Sequence, residues 1–208
     1  MKRGNLLFPA AVAAGLLFVV MRARADSPAD YVNPDDDYIP PVDNGGDMPT
    51  ADDSRFTLTD ASNLATSDDL DAMLQKGERL VLTPYQLGDG GWTVGYGHYS
   101  PNSAGMPAPL SSKDDAIALF NQDIEERAAV WVRKYVTVPI NQFQFDALAS
   151  MAFNLKPSSF KTIADAVNAG DDPDNAALQF VRAGTNLENG LRARRARELD
   201  LYHNGVYA

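Results

Sequence analysis

Residues 78–98 read ERLVLTPYQLGDGGWTVGYGH, and no other part of the sequence says as much about the fold. A short apolar run is followed by a glycine-rich segment, which also contains Trp92, Thr93, Val94 and Tyr96. Aromatic and β-branched residues favour strands, and glycines favour the tight turns between them. The part from Tyr85 to His98 therefore predicts a small twisted hairpin rather than a helix.

The residues on both sides of this hairpin have the signals of helices. Before it, Ser67 is a suitable N-cap for a helix that ends at Gly77. After it, Ser112 and Asp115 resemble a capping box at the start of a long helix over residues 112–134. Apolar residues recur along that helix at spacings of three and four: Ile117, Phe120, Ile124, Ala128 and Trp131.

Further helices are predicted in the remaining chain, separated by proline and glycine. They cover residues 141–154, 160–169, 174–183 and 188–202, with breaks at Pro157, Gly170, Pro173 and Gly184. One small sheet within a mostly helical body is typical of an α+β fold.

The first 25 residues have the pattern of an export segment. Lys2 and Arg3 precede an apolar run of about 16 residues from Leu6 to Met21, near the roughly 17 that a spanning helix needs. Ala23-Arg24-Ala25 then resembles a signal-peptide cleavage site, although arginines are unfavourable there. A cleaved signal peptide, an uncleaved membrane anchor and a buried N-terminal helix all stay open. Either of the first two delivers the following domain out of the cytoplasm.

Residues 26–65 form an acidic stretch with ten Asp residues against Arg55 alone. It also contains five prolines, and low hydrophobicity with high net charge opposes ordering. We interpret it as a flexible tether between residues 1–25 and a folded domain over residues 66–208.

Composition excludes several functional classes. The chain has no cysteine, which excludes disulfides and thiolate chemistry. Its histidines, His98 and His203, are far apart and lack the spacing of a metal site, so we expect no metal and no zinc amidase or peptidase. A net charge of −10 argues against a nucleic-acid partner. No nucleotide-binding or dinucleotide-binding motif is present, so we expect no organic cofactor.

Glu78 is the candidate catalytic carboxyl. It follows a predicted helix end and precedes the apolar residues Leu80, Val81 and Leu82. Partial burial favours the protonated form of a carboxyl, which is the form that a general acid needs in glycosidic cleavage. From these residues alone, an ordinary surface glutamate is the alternative.

Four ordered segments resemble one family. They are residues 78–85 with 90–98, residues 141–148 with 152–154, residues 166–170, and residues 190–202. Together they resemble the phage-type lysozymes of glycoside hydrolase family 24, over about residues 67–203. The resemblance implies a sheet lobe and a helical lobe joined by the helix over residues 112–134, with a glycan bound between the lobes. It also implies hydrolysis of the β-1,4 bond between N-acetylmuramic acid and N-acetylglucosamine.

Residue roles follow from the same resemblance. Glu78 matches the glutamate that protonates the glycosidic oxygen, and Thr93 matches the threonine that places the attacking water. Leu87 stands where the family has an aspartate. Asp89 is the nearest replacement, since neighbouring glycines leave the backbone free, although Asp beside Gly often only makes a turn. With Asp89 active, the reaction is inverting hydrolysis.

Two alternatives follow from Leu87. Glu78 acting alone would make the chain a lytic transglycosylase. Complete loss of activity would leave a wall-binding or virion structural protein.

The other site residues are expected to line the cleft or support it. Tyr85 and Tyr99 are candidates for stacking on sugars, with packing in the core as the alternative. Phe153 and Asn154 are expected to line the cleft from the helical lobe. His98 is expected to be structural. The domain's basic cluster, at the exposed final helix, is either solvated or faces wall carboxylates: Arg192, Arg194, Arg195 and Arg197.

The expected partner is bacterial peptidoglycan, with the membrane as a second partner through the N-terminal apolar segment. We expect a monomer from a phage or prophage. It would be exported across, or anchored in, the bacterial inner membrane and act in the periplasm or cell wall, or it would be carried in the virion.

Overall fold

The computed structural model describes residues 54–76, 78–86, 88, 90–182 and 184–207. Within these ranges a three-stranded sheet precedes a mainly helical body, which confirms the predicted α+β class. The predicted segment 1–25 and most of the predicted tether lie outside the described residues. None of the helices that the structure describes is both long and apolar enough to cross a membrane.

The sheet is antiparallel, with strands in chain order: β1 (Val81–Tyr85), β2 (Gly91–Gly95) and β3 (His98–Pro101). A two-residue turn, Tyr96-Gly97, joins β2 to β3, and both Gly95 (φ 67°) and Gly97 (φ 96°) have positive φ angles. These positive φ angles favour glycine. The predicted hairpin is therefore confirmed. The third strand, which extends beyond His98, was not predicted.

Two helices flank the sheet, and both begin with the predicted serine. α1 (Asp68–Lys76) starts where the Ser67 hydroxyl accepts a hydrogen bond of 3.2 Å from the Leu70 N–H. α2 (Lys113–Ile124) has Ser112 as its N-cap. It continues through a π-helical turn (Glu125–Ala129) into α3 (Val130–Tyr135), so the long helix agrees with the prediction apart from the π turn.

The helical lobe surrounds α4 (Gln142–Asn154), which opens with a capping box between Asn141 and Gln144. The other helices are α5 (Pro157–Ala169), α6 (Asp174–Ala177) and α7 (Glu188–Asn204). The helix predicted over residues 174–183 is wrong in length, because α6 gives way to a 3-10 turn (Leu178–Phe180). The chain then leaves helical geometry, with Arg182 at φ 50°.

The core is built mainly on α4. Most of this helix is inaccessible to solvent, including Phe145, Leu148 and Met151. The apolar stripe on the long helix packs against the same core, with Phe120 and Ile124 fully or almost fully buried. Since α4 contacts α1, α3, α5 and α7, it holds these helices together.

The expected tether ends earlier than residue 65. Thr59 and Ile140 exchange two backbone hydrogen bonds of 2.9 Å, and Ala61 is buried. Phe56 packs on Phe143 with ring centroids 4.8 Å apart. Residues 54–65 therefore belong to the folded domain, because their few apolar side chains find partners on the helical lobe.

Candidate active site

Glu78 lies in the connection between α1 and β1. Its backbone N–H donates to the Gln75 carbonyl at 3.1 Å, which extends the last turn of α1. The side chain is half-buried, and Leu80 and Leu82 pack against the core just after it. Two anchored elements thus hold the backbone on either side of this carboxyl.

Thr93 lies at the centre of the sheet, in a row with two other predicted site residues. It is opposite Tyr85 of β1 and opposite Tyr99 of β3. Directly paired residues in an antiparallel sheet point to the same face. The sheet thus brings Tyr85, Thr93 and Tyr99 together on one face.

The Thr93 hydroxyl is unusual. The residue is 1% exposed, and its Oγ1 has no hydrogen-bond partner among the described residues. A buried hydroxyl without a partner costs about 1–3 kcal/mol, so such groups are rare in native proteins. Packing alone therefore does not explain why a hydroxyl group is buried at position 93.

Tyr99 packs against the glycine-rich turn rather than lying open to solvent. It is 8% exposed. A Cβ built on Gly91 would lie 2.2 Å from the ring carbon Cε2 of Tyr99, which is far inside van der Waals contact. Glycine is thus required at position 91 because the Tyr99 ring occupies the space of a side chain.

His98 connects the sheet to the long helix. Its Nδ1 lies 2.9 Å from Asp123 Oδ2, and Arg127 Nε lies 3.2 Å from Asp123 Oδ1. The Asp123 side chain is 8% exposed, so this carboxylate is shared between two partners in a nearly dry place. The expected structural role of His98 stays a prediction, and its contact with Asp123 is the observation that supports it. Sequence reasoning missed Asp123 and Arg127, which have no motif of their own.

An aromatic chain links the two lobes. Phe153 of α4 packs edge-on against Phe120, with ring centroids 5.7 Å apart. Phe120 in turn lies 5.6 Å from the ring of Tyr96 in the turn between β2 and β3. Phe153, predicted to line the cleft, is thus half-buried at the junction of the two lobes.

Asn154 belongs to a buried polar cluster. Its Oδ1 accepts from Arg195 Nη2 at 3.0 Å, and the residue is 4% exposed. Arg195 forms an ion pair of 2.8 Å with Glu198 of α7, and Ser150 of α4 donates to the same carboxylate at 2.7 Å. The prediction of an exposed basic cluster on the final helix is wrong at Arg194 and Arg195, because both side chains turn inward and pair with Glu198.

The π turn of the long helix also anchors the chain before α1. Glu125 accepts from the N–H and the hydroxyl of Thr66 at 2.7 and 2.8 Å. Arg133 donates to the other oxygen of Glu125 at 2.6 Å and to the Leu64 carbonyl at 2.9 Å. Burial raises the pKa of Glu125, but these hydrogen bonds outweigh it and lower the pKa overall.

Two further carboxyls are buried near the start of α1. Burial raises the pKa of Asp71 to about 6, with smaller contributions from the negative charges of Asp68, Asp146 and Glu125. Burial also raises the pKa of Asp146, although Ser67, Tyr207 and Gln142 donate hydrogen bonds to it. This second carboxyl ties α4 to the start of α1 and to the C-terminal residues.

Leu87 and Asp89 lie outside the described residues, so the predicted role of Asp89 stays a prediction. In the sequence, both come between β1 and β2.

The fold and these residues together match one family. The phage lysozyme family model covers residues 75–198, more than half of the chain, so the chain belongs to the phage lysozyme family. The endolysin of Bacillus phage B103 is 35% identical over 118 residues. This match covers 55% of the chain but only 44% of that curated relative, less than half of its length.

Solved structures agree with the fold. The endolysin from Escherichia coli O157:H7 phage FAHEc1 has a TM-score of 0.57 at 27% identity, covering 70% of this chain and 98% of that chain. The muramidase domain of SpmX from Asticaccaulis excentricus has a TM-score of 0.56 at 31% identity, covering 66% of this chain and 96% of that chain.

Proposed function

We propose that this chain is a lysozyme that cleaves the β-1,4 bond between N-acetylmuramic acid and N-acetylglucosamine in bacterial peptidoglycan. The main support is that the phage lysozyme match includes both Glu78 and Thr93. The relatives described as an endolysin and a muramidase support the same class of reaction.

In this proposal Glu78 is the general acid. Its carboxyl proton passes to the glycosidic oxygen as the bond from that oxygen to the sugar C1 breaks. Water attacks C1 from the opposite face and gives its proton to a second carboxylate, for which Asp89 is the candidate. The products are two shorter glycan strands, one with an inverted reducing end. Inversion requires the two carboxyl groups to lie about 6.5–9.5 Å apart.

Thr93 is proposed to orient the attacking water. Its buried Oγ1 has no partner among the described residues, and a hydroxyl can both donate to and accept from a water molecule. Tyr85 and Tyr99 on the same sheet face, and Phe153 with Asn154 at the end of α4, are proposed to support the bound glycan. For Tyr99 and Asn154 this support acts mainly through the residues around them, because both are buried.

Leu87 favours a second candidate reaction. A leucine at the family's aspartate position can neither activate water nor stabilise positive charge at the sugar. The C6 hydroxyl of the muramic acid would then attack C1. Glu78, whose first proton has left with the departing sugar, would take up the proton of that C6 hydroxyl. This is lytic transglycosylation, and its product ends in an anhydro sugar instead of a reducing sugar.

The test uses the full chain on purified peptidoglycan. We expect the wild type to clear the suspension and Glu78→Gln to abolish clearing, with Glu126→Gln as a matched control at an exposed glutamate.

Mass spectrometry of the products separates hydrolysis from transglycosylation. A wild type that is inert at every pH would contradict both reactions and leave the binding or virion role. An active Asp89→Asn variant would exclude Asp89 as the base.

We further propose that the apolar segment from Leu6 to Met21 exports the domain or anchors it in the inner membrane, where it would act on the cell wall. N-terminal sequencing of the extracellular protein tests this. A start after Ala25 means cleavage, and retention of Leu6 in the membrane fraction means anchoring. Accumulation of the intact chain in the cytoplasm would contradict both.

A further inference from the structure

Three potential metal ligands meet on the surface of the helical lobe. Asp172 lies in the loop between α5 and α6, Asp174 is the first residue of α6, and His203 lies in the last turn of α7. Their donor atoms all lie within 4.8 Å of one another. His203 Nε2 is 2.8 Å from Asp174 Oδ1 and 3.7 Å from Asp172 Oδ1.

The local fold holds these donors in place. Asp172 Oδ1 accepts a hydrogen bond of 2.9 Å from the Asp174 N–H, and the intervening Pro173 is buried with φ at −70°. On the opposite side, α7 ends at Gly205 in a left-handed cap, so His203 sits on a complete helical turn. The three donors thus come from two separate segments of the chain, residues 172–174 and the last turn of α7.

The distances suit a small cation. In a tetrahedral zinc site with bonds of about 2.0–2.1 Å, neighbouring ligand atoms are about 3.3 Å apart. The two measured separations, 2.8 and 3.7 Å, lie on either side of that value. The shorter separation is also that of a hydrogen bond between His203 and Asp174.

The donor set selects the kind of metal. Magnesium and calcium prefer sites made only of oxygen, whereas an imidazole with carboxylates suits zinc and its neighbours in the first transition row. Two carboxylates carry two formal negative charges, and a neutral imidazole adds a donor without adding charge. A divalent cation would therefore balance the charge of the cluster. An ion pair of His203 with the two acids is the competing arrangement.

We propose that Asp172, Asp174 and His203 form a zinc-binding site that cross-links the α5–α6 loop to the end of α7, with water completing the coordination. The site stands apart from the proposed catalytic residues. Its expected effect is to stabilise the helical lobe, because an ion that binds only the folded state raises the free energy of unfolding.

The experiment uses the full chain, freed of metal with EDTA and then titrated with zinc sulfate. Calorimetry is expected to show one zinc ion per chain, and the Tm should rise with zinc concentration. NMR of isotope-labelled imidazole nitrogens adds an internal control, because the chain has two histidines. The signals of His203 should shift with zinc while those of His98 stay in place.

Matched variants distinguish a specific zinc site from a general attraction of zinc ions to acidic groups. Asp174→Asn and His203→Gln should each weaken zinc binding about tenfold or more, since losing even the residues behind metal ligands has that effect. Asp171→Asn removes the same charge from an exposed neighbour outside the ligand set and should leave binding unchanged. The proposal is overturned by absence of zinc binding, by binding that His203→Gln leaves intact, or by equal weakening in Asp171→Asn.

Discussion

Glu198 in the helical lobe and Thr93 in the sheet lobe are both buried polar residues, but they differ in their partners. In the helical lobe, Glu198 is 1% exposed but is paired with two arginines and accepts a hydrogen bond from Ser150. In the sheet lobe, Thr93 is equally inaccessible, yet its hydroxyl has no hydrogen-bond partner in the part of the chain that the structure describes.

This difference indicates that Glu198 contributes to stability and Thr93 to function. A buried carboxylate surrounded by cations and a hydroxyl joins α4 to α7, and removal of one partner leaves an uncompensated charge. A buried hydroxyl without a partner contributes nothing to packing that a methyl group would not. We therefore expect substitutions in the Glu198 cluster to destabilise the protein, and substitutions at Thr93 to spare the fold and reduce activity.

The largest expected effect on stability is at Glu198. Glu198→Gln keeps the size of the side chain but leaves Arg195 charged and buried without its anion. The free energy of unfolding should fall by about 3–5 kcal/mol. Urea unfolding followed by circular dichroism measures this change.

The control for Glu198 is Glu126→Gln, which makes the same change at an exposed position on the π turn. Its effect should be within about 0.5 kcal/mol. If both variants lose the same small amount, the buried cluster does not stabilise the helical lobe, and the contrast between the lobes disappears.

The next largest effect on stability is expected in the sheet. Gly91→Ala places a methyl group 2.2 Å from the Tyr99 ring, so the ring must move. Overpacking of this kind costs about 1–3 kcal/mol. Thermal unfolding of Gly91→Ala, of Tyr99→Leu and of the double variant forms a cycle. The smaller leucine side chain should recover part of the loss, whereas strictly additive effects would show that the clash is relieved elsewhere.

Local patterns predicted much of this fold. The serine caps at Ser67 and Ser112 and the glycines of the sheet act within a few residues, so single-sequence reasoning finds them. Glu78 and Thr93 were predicted from the resemblance of their motif, and the structure places both in the sheet lobe.

Other features depend on contacts between distant residues. Asp123 meets His98 across 25 positions, and Arg195 meets Asn154 across 41. The arginines that appear exposed on this helix are buried because α7 packs on α4. Sequence periodicity does not reveal this burial, because α7 has charged residues on its inner face. The cluster at His203 was missed for the same reason.

A smaller effect, dependent on pH, is expected at Asp71. Its pKa is raised from 3.8 to about 6, so the folded state binds this proton more tightly than the unfolded chain does. The contribution of Asp71 is most favourable below pH 3.8 and is lost as pH rises through about 6. Asp71→Asn lacks this loss. The full shift corresponds to about 3 kcal/mol, and solvent screening reduces it, so the variant should be about 1–2 kcal/mol more stable than wild type at pH 7.

Urea unfolding at a series of pH values measures the effect of Asp71. The difference between Asp71→Asn and wild type should be near zero at the acidic end and constant above about pH 6. Asp171→Asn, at an exposed acid, should show no such rise. A difference that is independent of pH would contradict the raised pKa.

The smallest expected change in stability is at Thr93, and it is opposite in sign to the change at Glu198. Thr93→Val replaces the hydroxyl with a methyl group of similar size and removes a buried polar atom that has no partner among the described residues. The free energy of unfolding should stay the same or rise by up to about 1 kcal/mol. Clearing of peptidoglycan should nevertheless fall by about a hundredfold, the size typical of losing one positioned group in a reaction.

Thr93→Ser, which keeps the hydroxyl, should retain most of the activity. If Thr93→Val clears peptidoglycan as fast as wild type, the hydroxyl has no role in placing water. If that variant instead unfolds readily, Thr93 is a structural residue, and the two lobes do not differ in the way described.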